Sequence, residues 1–150
     1  LSFSTKQIGD EGEALTLAHE KIWLSNNGRR DRAKLVSHMP TQFAVGYDVL
    51  SRELDATMRH IEVKTTVSQK NFTVNRVHLT PNEWSAAESH RERYFVYRLQ
   101  LSEESCSLWI IQDPVGLYKQ DRVKMVPRNG ADIFFDETCY TQIELLRTHE

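Results

Sequence analysis

Arg59-His60-Ile61-Glu62-Val63-Lys64-Thr65-Thr66, read together with Gly46-Tyr47-Asp48-Val49-Leu50 just upstream, decides the fold. Val, Ile, Thr and Tyr favour a pleated surface, and the residues alternate with a period of two, so both pieces are predicted to be strands. Alternation puts His60, Glu62 and Lys64 on one face and Ile61, Val63 and Thr65 on the other. A carboxylate and an ammonium thus point the same way. The polar stretch from Ser51 to Met58 suits a hairpin connection, although it has no Asn-Gly or Asp-Gly pair. A turn centred near Asp55 sets Asp48 opposite Glu62, with Cβ atoms about 4.5–5.5 Å apart. Like charges at that range repel, and a bound divalent cation is the natural compensation, with Lys64 at its edge.

Upstream, Thr5 to Leu24 is predicted to be an amphipathic helix carrying Ile8, Leu15, Ala18 and Ile22 on its apolar stripe, and Asn26-Asn27-Gly28 supplies a left-handed stop. Gly12 inside that helix costs about 1 kcal/mol relative to Ala, which points to close packing against the sheet. Lys34 to Ser37 reads as a first strand, and Gly46 as a bulge or close backbone approach that aims Asp48.

Downstream, Val67 to Asn71 is a polar loop in which Lys70 and Asn71 suit phosphate contacts as well as plain solvation, and Phe72-Thr73-Val74 resumes a strand or edge. Thr80-Pro81-Asn82-Glu83 has the form of a capping box: Thr at the N-cap, Pro first in the helix, Glu closing the box. The helix runs toward His90 and buries Trp84 and Ala87. Its first N–H groups, with Asn82 beside them, can hold a phosphate if this end faces the site. Tyr94 to Leu99 and Ser107 to Ile111 are strands, and Asp113-Pro114-Val115-Gly116 is a turn. Val123 to Val126 and Ile133 to Phe135 add short edge elements, and Cys139 to Leu146 is predicted to close with a small helix. Pattern alone gives a mixed α/β or α+β domain with helices flanking a central sheet.

A chain of 150 residues suits one domain, residues 1–150, and its start at Leu1 suggests a piece excised from a longer protein. The net charge of −2 is unlike that of a strongly basic nucleic-acid binder, so any such role needs a basic face rather than a basic average. No run approaches a membrane span and no signal peptide opens the chain. Cys106 and Cys139 form no zinc or disulfide pattern and read as reduced thiols of a cytoplasmic protein. The six histidines show no His-x-His or His-Glu-x-x-His grouping.

Asp48 followed by Glu62-Val63-Lys64 resembles the D…(D/E)xK signature of the PD-(D/E)xK nuclease superfamily, with Tyr47 where its usual Pro would stand. A closer resemblance is to the NO VEIN C-terminal-like domain of restriction, defence and helicase-associated proteins. Its words occur in order: Ile8-Gly9 with Gly12-Glu13, Gly46-Tyr47-Asp48-Val49, Ile61-Glu62-Val63-Lys64-Thr65-Thr66, Leu79-Thr80-Pro81-Asn82-Glu83-Trp84 and Tyr94-Phe95-Val96-Tyr97-Arg98.

The resemblance implies a restriction-endonuclease-like αβββαβ core with a central mixed sheet. It implies Mg²⁺-dependent cleavage of double-stranded DNA, with Mn²⁺ as a substitute, in the cleavage module of a larger parent protein. Asp48, Glu62 and the carbonyl of Val63 would hold the metal, Lys64 would act on the water or phosphate, and Glu13 would be a further ligand or orienting group. A homodimer would suit cutting both strands. The competing expectations are a catalytically inactive module of the same fold that binds nucleic acid or a partner domain, and an RNA-cleaving enzyme.

Overall fold

The computed structural model describes residues 4–68, 75–103 and 105–147. In chain order the elements are α1 (Thr5–Asn26), α2 (Arg30–Ala33), β1 (Ser37–His38), β2 (Val49–Arg52), β3 (Met58–Val67) and β4 (Arg76–Leu79), then α3 (Pro81–His90), β5 (Tyr94–Leu101) and β6 (Cys106–Gln112). They are followed by α4 (Pro114–Lys119), β7 (Lys124–Pro127), β8 (Ala131–Phe134) and β9 (Thr141–Glu144). Six strands form the main sheet in the order β1-β2-β3-β5-β6-β9, and β4-β8-β7 form a smaller one. β3 and β5 pair in parallel while the other neighbours are antiparallel, because α3 carries the chain back across the sheet between them. Passing over the short α2 and β4, the order α1-β1-β2-β3-α3-β5 is the expected αβββαβ core with a mixed central sheet.

Two apolar cores lie on the two faces of this sheet. Val49, Ile61, Val63, Phe95, Tyr97 and Leu99 pack with Leu24 of α1 on one side. Tyr94, Val96, Trp109 and Ile111 pack with Ala86 and Ala87 of α3, Val115 of α4 and the small sheet on the other. Ile61 and Val63 therefore leave His60, Glu62 and Lys64 to the α3 face. Gly12 of α1 lies against Thr65, so tightly that a Cβ there would stand 1.8 Å from the Thr65 hydroxyl oxygen.

Four local expectations are corrected. The buried side of α1 is Gly12, Thr16, His19, Glu20 and Leu24, whereas Ile8, Leu15, Ala18 and Ile22 are only half-buried. The polar members are tolerated because each meets a partner. Tyr97 donates its hydroxyl to Glu20 Oε2 at 2.8 Å, the Leu146 N–H donates to His19 Nδ1 at 2.9 Å, and Thr16 donates to the Gly12 carbonyl at 2.8 Å. Lys34 to Ser37 is not a strand: Lys34 and Leu35 close the turn after α2, and pairing with β2 is confined to Ser37 and His38. Asp113 does not simply turn the chain but N-caps α4, accepting the Gly116 N–H at 2.8 Å with Pro114 in the first turn. Cys139 to Leu146 forms no helix; a 3-10 turn over Glu137–Cys139 leads into β9, which satisfies the open edge of β6. The strand expected at Phe72-Thr73-Val74 lies outside the described residues.

Candidate active site

β2 and β3 pair Val49 with Ile61 and Leu50 with His60, so the next step of the register sets Asp48 opposite Glu62, as the hairpin reading required. The Val63 N–H donates to Asp48 Oδ2 at 2.8 Å. Gly46, at φ +82°, lets the chain enter this position: a Cβ there would lie 2.6 Å from the Asn82 carbonyl oxygen of α3. Tyr94, fully buried, donates to the Gly46 carbonyl at 2.9 Å, and Asn82 Nδ2 donates to the Ala44 carbonyl at 2.8 Å. Three bonds thus hold the loop and its acid against β3, β5 and α3.

The Asp48 and Glu62 carboxyls face each other across the strand pair and act on each other electrostatically. Burial raises both above the ordinary carboxylate range; for Glu62 the neighbouring Asp48 charge pushes further the same way, while the Val63 N–H offsets part of the rise at Asp48. Glu62 is 4% exposed. Lys64 Nζ stands 2.7 Å from Glu83 Oε1 and 3.5 Å from Glu62 Oε2. Burial works to lower the Lys64 pKa, but the carboxylates of Glu62, Glu83 and Asp48 outweigh it and raise the group above its ordinary value.

Glu13 reaches the region from α1, bonded to His38 Nε2 of β1 at 2.5 Å. Its pKa is raised by burial, against the His38 hydrogen bond, and Asp48 adds to the rise. Of the expected residues, Asp48, Glu62 and Lys64 are brought together, Val63 joins through its N–H, and Glu13 is close enough to feel Asp48. Asn82 is engaged with Ala44, strapping the loop, and Lys70 and Asn71 lie outside the described residues.

Residues absent from the sequence-based site are Glu83, His38 and an aromatic wall. His60 and His90 stack with ring centroids 3.6 Å apart, and Tyr47 stands edge-on to both. Burial pushes His60 down to about 4, despite the Arg93 carbonyl that accepts from its ring, and burial also lowers His90. The His60 imidazole is neutral at pH 7. Glu83 carried a visible signal as a capping residue, while nothing local connected His90 with His60.

Among the described residues, no group of three or more His, Cys, Asp and Glu side chains converges on a cation position. Two hard-oxygen carboxylates held together, Glu62 buried and Asp48 half-buried, nevertheless match the donor chemistry of Mg²⁺ or Mn²⁺, which use few protein ligands and keep several waters.

The αβββαβ core with a central mixed sheet carries Asp48 just before β2 and Glu62-Val63-Lys64 on β3, the arrangement of a nuclease-like module. The family model described as "Protein NO VEIN, C-terminal" matches residues 12–111, and the chain belongs to that family. A solved structure titled "Restriction endonuclease in complex with substrate DNA" is similar over 97% of this chain and 89% of that chain, at 13% identity and a TM-score of 0.36. No curated protein matches the sequence.

Proposed function

We propose that this module is a Mg²⁺-dependent DNA endonuclease, the phosphodiester-hydrolysing part of a larger restriction or anti-phage defence protein. The observation that carries the reading is the Asp48–Glu62 pair with Lys64 at its edge: the half-buried Asp48 set opposite the buried Glu62, whose carboxyl burial and Asp48 together raise, beside a cation. Asp48, Glu62 and the carbonyl of Val63 would hold Mg²⁺ or Mn²⁺. A divalent ion supplies an acidified water and a polarised phosphoryl oxygen.

Lys64 brings a positive charge to the place where the scissile phosphate gathers negative charge, and a fixed cation in a water-poor site stabilises that change. Glu13, bonded to His38, is proposed to orient the water. Double-stranded DNA is the proposed substrate, and Lys70, Asn71 and the start of α3 at Asn82 are proposed to lie along its backbone. A homodimer would present one site to each strand. Free Cys106 and Cys139 accord with a cytoplasmic setting. Among the described residues no helix is long and apolar enough to cross a membrane.

The test is calorimetric titration of Mn²⁺ into wild type, Asp48→Ala, Glu62→Ala and Lys64→Ala, with plasmid nicking on the same samples. Metal uptake is expected to vanish in the two acid variants, and nicking to fall by about 10²-fold or more in all three. No metal uptake and no nicking by wild type would instead make the module a non-catalytic binder. Faster cutting of RNA than of duplex DNA would reassign the substrate.

A further inference from the structure

Glu83 sits at the third position of α3 and uses one oxygen twice. Its Oε1 accepts the Thr80 N–H at 3.0 Å, closing the capping box, and accepts Lys64 Nζ at 2.7 Å. The same ammonium is 3.5 Å from Glu62 Oε2, so the shorter bond holds it toward α3 and away from the Asp48–Glu62 pair. Lys64 has four rotatable bonds and a compact charge that follows the nearest anion. Without a negative charge at residue 83, the remaining anions around it are Glu62 and Asp48, and the ammonium would move onto them. It would then compete with a divalent cation for the same oxygens.

We propose that Glu83 is a positioning residue that keeps the Lys64 ammonium off the two acids, so that they stay available to a metal and the cation stays available to a phosphate. This rests on the metal-dependent nuclease reading above. The fold gives Glu83 a fixed place for the task. Thr80 and Pro81 set the first turn of α3, and the helix is pressed onto the loop before Asp48 at Gly46, where Asn82 and Ala86 leave no room for a Cβ. The spacing between helix start and strand therefore varies little, and a single carboxylate can bridge it.

Glu83→Gln separates this role from helix capping, because a glutamine at the third position closes the same box with Thr80 while carrying no charge. The melting temperature of the metal-free variant is expected to stay within about 2 °C of wild type, since the cap stays closed. The ¹⁵N signal of the Lys64 ammonium, read without metal, is expected to shift as the group changes partner. Mn²⁺ affinity is expected to fall about fivefold to tenfold, within the range of coupling between contacting side chains.

In a Lys64→Met background the same Glu83→Gln change is expected to leave Mn²⁺ affinity unaltered, because no ammonium remains to be restrained. An equal loss in both backgrounds would overturn the proposal and make Glu83 a direct ligand. An unmoved Lys64 signal would overturn it without reference to metal, and unchanged Mn²⁺ affinity in Glu83→Gln would overturn it while leaving the nuclease reading intact. If wild type took up no Mn²⁺, the nuclease reading would fail first, and the proposal with it.

Discussion

Asp48 and Val63 are joined across the β2–β3 hairpin by a 2.8 Å bond from the Val63 N–H to Asp48 Oδ2. The Val63 side chain lies in the core on the α1 side of the sheet while Asp48 and Glu62 meet on the other. Packing on one face thereby fixes an acid on the opposite face. The cost of holding two carboxyls together is spread over the strand rather than borne by the site alone.

That cost is measurable without metal. Glu62 is raised first by burial and then by Asp48. A carboxyl raised on folding stabilises the native state below its ordinary value of 4.5 and loses that contribution as pH rises through the raised value. Urea unfolding in EDTA is therefore expected to show wild type losing stability from pH 5 to pH 8 relative to Glu62→Gln. Mn²⁺ at 100 times its Kd is expected to return about 2.7 kcal/mol to wild type and little to the variant. Parallel pH dependences in EDTA would remove the carboxyl pair as a source of strain.

Glu20 anchors α1 through a buried network with no part in the proposed chemistry. It accepts from Tyr97, its Oε1 is 3.7 Å from Arg59 Nη1, and Arg59 itself lies over the Phe95 ring at 4.0 Å. Glu20→Ala leaves Arg59 and Tyr97 buried with fewer partners and is expected to cost about 3–5 kcal/mol. Tyr97→Phe, which orphans one carboxylate oxygen, is expected to cost about 1–3 kcal/mol. Denaturant midpoints at constant m-value test both, and a Glu20→Ala loss below the Tyr97→Phe loss would contradict the network.

Gly12→Ala places a methyl where Thr65 already stands, with the Thr65 Cβ 2.8 Å away. Either α1 lifts from β3 or the Thr65 side chain turns. The expected loss is about 1–3 kcal/mol, the range for overpacking, despite the gain in helix propensity from Gly to Ala. A variant more stable than wild type would show that this contact is not tight in solution.

His19 is lowered by burial, with Glu20 working against the shift, and its Nδ1 accepts a backbone N–H, which requires that nitrogen to be unprotonated. A histidine lowered on folding gives its full contribution above the ordinary value of 6.5, and the contribution is lost as pH falls below that toward the folded value. Wild type is expected to lose stability between pH 7.5 and pH 5.5 more steeply than His19→Gln. Circular dichroism melts at the two pH values decide it, and equal slopes would mean that His19 protonates freely in the folded state.

Local geometry that depends on neighbours along the chain was legible in the order of residues. Period-two alternation set Ile61 and Val63 against His60, Glu62 and Lys64, hairpin symmetry about Asp55 set Asp48 opposite Glu62, and the Thr80–Glu83 box started α3 where it was expected. Tertiary structure decided whatever required two distant segments to share one space. The buried face of α1 turned to its polar side because Tyr97, Arg59 and the Leu146 N–H satisfy Glu20 and His19, and no periodicity encodes partners that far away. Asp113 became a cap and β9 a strand because a helix start and an open β6 edge needed partners. Glu83 met Lys64 only because Gly46 admits α3 close to the hairpin, and that approach depends on the shape of a surface rather than on the order of residues.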